Sequence, residues 1–157
     1  MAARIRAAVM ARRDLDMVII GGTDGISVEG LDEAIRRGNA YHEEGADVVF
    51  VEAPTTMEQL RRIPQLIDVP VLVNVAPKTP YLNVKVYEEM GFSVAIYPPL
   101  PLTTAYKSIK DNLIELKTNG IMKEWGHGGV PFDELVQFLG LGKYRGTQED
   151  ILEDRKR

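Results

Sequence analysis

Apolar positions along the chain follow two alternating rhythms. Four short runs are apolar at nearly every position: Met17-Val18-Ile19-Ile20, Val48-Val49-Phe50-Val51, Val69-Pro70-Val71-Leu72-Val73-Asn74-Val75 and Ser93-Val94-Ala95-Ile96-Tyr97. A run without polar alternation has no wet face. Each therefore reads as a buried parallel strand, covered by helices on both sides or facing a barrel interior. Between the runs the apolar residues return at helical spacing. Ile5 and Val9 recur within 2–13, Leu31, Ala34, Ile35 and Tyr41 within 30–44, and Met57, Leu60 and Ile63 after Thr56. The spacing also predicts helices over 83–90, over 103–117 on Ile109, Leu113 and Leu116, and from Pro131 on Phe132, Leu135, Val136 and Leu139.

The punctuation fits this reading. Thr56 and Gln59 have the spacing of a capping box, Asn83 is a good N-cap, and Gly45, Gly91 and Gly120 are natural helix stops. Pro64 predicts a short or bent helix after Thr56. Residues 125–129 read as a glycine-rich joint, and the charged tail from Thr147 as a frayed helix. Strand followed by helix, four times over, leaves two architectures: an open doubly wound sheet, or half of a (β/α)8 barrel with added C-terminal helices. The first is disfavoured because no Gly-x-Gly-x-x-Gly turn follows the first strand. One domain over 1–157 is expected from the length.

In parallel α/β proteins chemistry sits at the carboxyl ends of the strands. Four polar side chains fall there: Thr23 and Asp24 in the turn Gly21-Gly22-Thr23-Asp24-Gly25, Glu52 before Ala53-Pro54, and Asn74. Three of them have a plain alternative. Asp24 reads as a turn residue, Glu52 could cap the next helix, and Asn74 could satisfy loop backbone. His42, beside Glu43 and Glu44, reads as part of a solvated helix face, and His127 as part of a hinge.

Composition narrows the function. A net charge of -4 gives no basic field for nucleic acid or an anionic membrane, and the absence of cysteine removes disulfides, thiolate chemistry and Cys-based metal sites. No apolar run approaches the ~20 residues needed to cross a bilayer, so a cytoplasmic setting is expected.

Six segments in order carry a family resemblance. These are Val18-Ile19-Ile20 with Thr23-Asp24, Gly30-Leu31-Asp32-Glu33-Ala34-Ile35, Gly45-Ala46-Asp47, Phe50-Val51-Glu52-Ala53-Pro54, Val73-Asn74 with Lys78-Thr79-Pro80, and Ile96-Tyr97-Pro98. Together they resemble the isocitrate lyase and phosphoenolpyruvate mutase superfamily, including methylisocitrate lyase, carboxyphosphonoenolpyruvate mutase and oxaloacetate decarboxylase-like members. The likeness runs from about Arg4 to about Tyr144 and matches the four strands to the family's fifth to eighth. It implies Mg2+-dependent lyases or phosphonomutases that break or rearrange a C–C or P–C bond in small 2-oxo or 2-hydroxy carboxylates. Glu52 would contact substrate or the metal-site network, Asn74 the substrate carboxylate, and Thr23 and Asp24 would support the rim without ligating metal.

The departures shape the expectation. Where the family usually reads Ala-Arg, with an arginine clamping the substrate carboxylate, this chain reads Gly21-Gly22. The loop after Asn74 is shorter than usual and lacks a glutamate often found there. The family's metal-ligating aspartates and mobile catalytic loop lie on its first four strands, which have no counterpart here. The chain is therefore expected to be a truncated family member, inactive by itself and binding no Mg2+ alone. The alternative is a non-catalytic half-barrel that assembles with itself or with a partner supplying the other half. The resemblance also implies that the terminal segment, 130–157, is exchanged between subunits, with the joint at 126–129 permitting it.

Overall fold

The structure is a computed structural model that describes residues 1–122, 128–144 and 146. Two compact units divide the chain, Met1–Pro101 and Leu102–Arg157. The first unit holds the sheet. Its strands are β1 (Ile20–Thr23), β2 (Val48–Val51), β3 (Val71–Asn74) and β4 (Val94–Ile96), all parallel and ordered β1-β2-β3-β4. The helices around them are α1 (Ala2–Ala11), α2 (Gly25–Glu29), α3 (Leu31–Glu43), α4 (Met57–Leu66) and α5 (Val84–Met90). Strand order that follows chain order, each strand adding beside the last, is the winding of a barrel wall. A doubly wound sheet would instead reverse direction at a switch point.

The register places alternate residues on opposite faces. Val49, Val51, Val71, Val73 and Val75 enter one core with Ala34, Ile35, Tyr41, Leu60, Ile63, Ile67 and Tyr87 from the helices. Gly38 is the tight point of that packing, because a Cβ there would lie 2.9 Å from Ile67 Cδ1 and 3.0 Å from Val49 Cγ1. The opposite sheet face carries Ile20, Val48, Phe50, Leu72, Val94 and Ile96, with Ile20 49%, Val94 39% and Ile96 37% exposed.

The first strand differs from its expected position. The apolar run at Met17 to Ile20 reads as the strand and the two glycines as its turn, yet the paired residues are Ile20 to Thr23, with Gly21 and Gly22 inside the ladder. Tyr41 decides this. A Cβ on Gly21 would sit 3.0 Å from Tyr41 Cβ and 3.3 Å from Ala46 Cβ, so β1 can approach α3 only where it has no side chain. Met17 and Val18 are instead exposed before the strand. The short α2 was also unforeseen: Asp24 stands at its N-cap and is exposed.

Other elements lie close to their expected limits. Thr56 and Gln59 form the capping box, and α4 runs past Pro64 to Leu66. Gly45, Gly91 and Gly120 have φ of +97°, +103° and +69°, which suits a residue without Cβ at a helix stop. α6 (Pro99–Asn119), which falls mostly within the second unit, starts earlier than its periodicity predicts because Pro99 and Pro101 fit a first helical turn, where no N–H is needed. α7 (Phe132–Phe138) matches the pattern after Pro131, and neither helix buries a described side chain. Residues 125–127, and the tail from Thr147, lie outside the described residues.

Candidate functional site

The carboxyl ends of β1, β2 and β3 bring three of the four expected rim residues together. Thr23 ends β1 and pairs with Val51, and its carbonyl accepts the N–H of Glu52 at 2.9 Å. Two residues beyond Phe50 and Leu72, which pair across β2 and β3, the register sets Glu52 beside Asn74. Asn74 Nδ2 donates to Glu52 Oε2 at 3.3 Å. Because a carboxylate only accepts, this bond fixes the amide orientation.

The orientation leaves Asn74 Oδ1 buried without a donor among the described residues. An unpaired buried acceptor costs about 1–3 kcal/mol, a local cost that concentrates where a site must keep its geometry. The backbone beside it carries a second such cost. Ala53, just after Glu52, has φ +59°, a left-handed conformation that disfavours any side chain. Buried Pro54 follows, and Gln59 Oε1 accepts the N–H of Thr55 at 2.7 Å and of Thr56 at 3.2 Å. Those bonds, with Thr56 Oγ1 accepting the N–H of Gln59, close the start of α4. Glu52 is thereby not its cap, and the carboxylate remains on the rim.

Sequence reasoning missed the groups that hold the rim in place. Thr79 is buried, donates its hydroxyl to the Asn74 carbonyl at 3.0 Å, and donates its N–H to Ala76. The Tyr87 hydroxyl donates to the Pro80 carbonyl and closes the far side of the same loop. Burial pushes the Tyr87 hydroxyl pKa up, so it stays a donor. The signal for Thr79 was its place between Lys78 and Pro80, a short loop whose backbone needs an internal partner. Thr23 acts likewise: it is buried, and its Oγ1 accepts the Gly25 N–H at 3.1 Å to turn the chain into α2. Asp24 makes no side-chain cap bond. His42 is exposed.

The site has little charge of its own to hold an anion or a metal. Gly22 puts no side chain on the inner face of β1, where a Cβ would meet only the Phe50 ring at 3.5 Å. Lys78, in the loop beyond Asn74, is exposed. Among the described residues no three His, Cys, Asp or Glu side chains gather where they could hold a metal ion. A Mg2+ ion takes six oxygens in near-octahedral geometry, and Glu52 with an exposed Asp24 does not supply them. The donor set that the described residues bring to this rim therefore does not fit the metal. No helix among the described residues is long and apolar enough to cross a membrane.

Comparison with known proteins places this geometry. A family model described as phosphoenolpyruvate phosphomutase matches residues 1–117. The chain is 34% identical to 2,3-dimethylmalate lyase of Eubacterium barkeri over 99% of its own length and 54% of that protein's. It is 41% identical to 2-methylisocitrate lyase of Escherichia coli strain K12 over 94% of its length and 51% of that protein's. Among solved structures, 2,3-dimethylmalate lyase superposes with a TM-score of 0.83 at 32% identity, over 96% of this chain and 54% of that one. Oxaloacetate acetylhydrolase in complex with the product oxalate superposes with a TM-score of 0.87 at 30% identity, over 96% and 53%. The chain thus spans about half the length of the curated relatives it matches.

Proposed function

Since the chain belongs to the phosphoenolpyruvate phosphomutase family, we propose that its rim binds the carboxylate end of a small 2-oxo or 2-hydroxy acid without turning it over alone. The bond from Asn74 Nδ2 to Glu52 Oε2 at the ends of two adjacent parallel strands carries this reading. It points the remaining Nδ2 hydrogen of Asn74 away from Glu52, free for a ligand carboxylate oxygen. Glu52 accepts the hydroxyl proton of a 2-hydroxy acid. The relatives' named acids, methylisocitrate and dimethylmalate, support the substrate class.

Turnover demands more than binding. Breaking a C–C or P–C bond beside a carbonyl builds negative charge on an enolate oxygen, and preorganised positive charge at that oxygen is the largest catalytic contribution. The described rim offers one amide, two carboxylates and no metal cluster. Mg2+-dependent lyase or mutase chemistry therefore requires groups beyond these, on a complementing half-barrel. The family setting also favours action in the cytoplasm.

The test is an oxalate titration of the isotope-labelled chain followed by amide NMR. Shifts centred on Glu52, Asn74 and Thr79 are expected, and Asn74→Leu should weaken binding about tenfold, the worth of one hydrogen bond to a charged group. Shifts elsewhere, or none at millimolar oxalate, would overturn the binding site. Turnover of oxaloacetate or methylisocitrate with Mg2+ by a strictly monomeric chain would overturn its inactivity.

A further inference from the structure

The sheet face opposite the helices is the largest feature that the rim does not explain. Ile20, Phe50, Leu72, Val94 and Ile96 share it, none of them joins the helix-packed core, and although Leu72 is buried, Ile20, Val94 and Ile96 are exposed. Parallel sheets are stable almost only when both faces are covered. Both outer edges, β1 and β4, also lack a neighbouring strand among the described residues.

The geometry points to a second copy of this chain as the cover, closing an eight-stranded parallel barrel in which β4 of each copy pairs with β1 of the other. The inference rests on the half-barrel reading above and names the partner of the same site. Rotation by 180° about an axis along the strands preserves their direction. It brings both open edges together at once, and a two-fold pair is the commonest protein assembly. Eight is the strand number of the closed barrel. The relatives' lengths agree, because 54% and 51% leave a remainder about the size of one further copy.

Charge at the two flanks supports a self-complementary seam. The helices pack in the order α1, α3, α4, α5, with α3 against β1 and β2, so α1 lies toward the β1 end of the row and α5 toward the β4 end. On α1 and the turn after it, Arg4 and Arg13 are exposed and form no ion pair among the described residues, whereas Arg6 and Arg12 are taken by Glu44 and Asp47. On α5, Glu88 and Glu89 are exposed and equally unpaired. Between α5 and β4 lies a groove of about 300 Å3 walled by Val84, Glu88, Ser93 and Val94. The α1 helix of the other copy, with exposed Met10 between Arg4 and Arg13, has the apolar knob and flanking cations for that groove. Closure would face two Glu52–Asn74 pairs across one mouth.

The experiment is sedimentation equilibrium of the full chain from 5 to 200 μM, with hydrogen exchange at the same concentrations. A dimer of twice the chain mass is expected, with β1 and β4 amides protected as it forms. Glu88→Lys with Glu89→Lys should weaken it about tenfold or more, and adding Arg4→Glu with Arg13→Glu should restore it, since paired charges set partner choice. A monomer throughout would overturn the inference, as would a dimer indifferent to both charge reversals or one with freely exchanging edge amides. A chain that stays monomeric but pairs with the separately expressed first half of a 2-methylisocitrate lyase would also overturn it, naming a different occupant. Oxalate binding by a monomer would leave the proposed function standing while this inference fails, and a dimer that ignores oxalate would do the reverse.

Discussion

Gly22 is the residue whose chemistry separates this rim most sharply from the family pattern. It lies on the inner face of β1, one residue before Thr23, and its neighbour Phe50 leaves ordinary contact distance for a Cβ. Gly21 differs, since Tyr41 and Ala46 already fill its Cβ position. An arginine is therefore accommodated at 22, and its guanidinium can offer a carboxylate the bidentate fork that Asn74 lacks. Gly22→Arg should tighten oxalate binding about tenfold, measured by calorimetry, with the melting temperature little changed. Unaltered affinity in a folded variant would show that the ligand does not approach β1. The sequence marked Glu52, Asn74, Thr23 and Asp24, because polar residues at strand ends stand out against apolar runs. It could not mark Asn74 Oδ1 as an orphan or Ala53 as left-handed, because both depend on where neighbouring strands place their bonds.

At the scale of elements, local chemistry sets where helices begin and tertiary contact sets where strands lie. The α4 capping box needs only Thr56 and Gln59, so it was legible in four residues. Thr56→Ala should cost about 0.5–2 kcal/mol by urea denaturation, while leaving oxalate binding nearly intact. A larger loss in binding than in stability would mean that α4 positions Glu52 more directly than these bonds show. Gly38 is the opposite case. It falls on the Leu31, Ala34, Ile35, Tyr41 stripe of α3, but nothing local says that it must be small. Ile67 and Val49 say so, from an αβ loop and a strand. Gly38→Leu should destabilise by about 1–3 kcal/mol through overpacking, seen as an earlier urea midpoint, and a variant as stable as the parent would show that α3 can shift off β2. The displacement of β1 by three residues has the same origin: the Met17 to Ile20 run is more apolar, yet Tyr41 and Ala46 leave room at position 21 only for a glycine.

For the whole molecule, ion pairs tie α1 to the segment between α3 and β2, brace α3 along its own length, and set the response to acid. Arg6 bonds Glu44, Arg12 bonds Asp47 at 2.6 Å, and Arg36 and Arg37 share Glu33. Asp47 also accepts the Ile19 N–H at 2.8 Å, the main cause holding its carboxyl below the usual range. Bonds from Arg36 and then Arg37 hold Glu33 at about 2, and the Arg6 bond lowers Glu44. In the unfolded chain these carboxyls titrate near about 4. As pH falls through that value the unfolded state takes up protons first, so stability present above about pH 4 is lost between there and about 2. Thermal melts should be flat from pH 7 to about 5.5 and fall below about 4.5, less steeply in 1 M salt because the Arg6–Glu44 and Arg36–Glu33 pairs are exposed. A melting temperature that rises on acidification would contradict these pairings. What the sequence determined by itself was the alternation of strand and helix, the helix stops and the polar residues at the strand ends, because periodicity, caps and glycines act over a few neighbouring residues. What only the tertiary structure decided was the placement of β1 on its glycines, the joining of Glu52 to Asn74, and the exposure of Ile20, Val94 and Ile96 on the inner face. Each of those depends on which side chains meet across strands far apart in the chain, and apolar runs without alternation do not encode which face is covered.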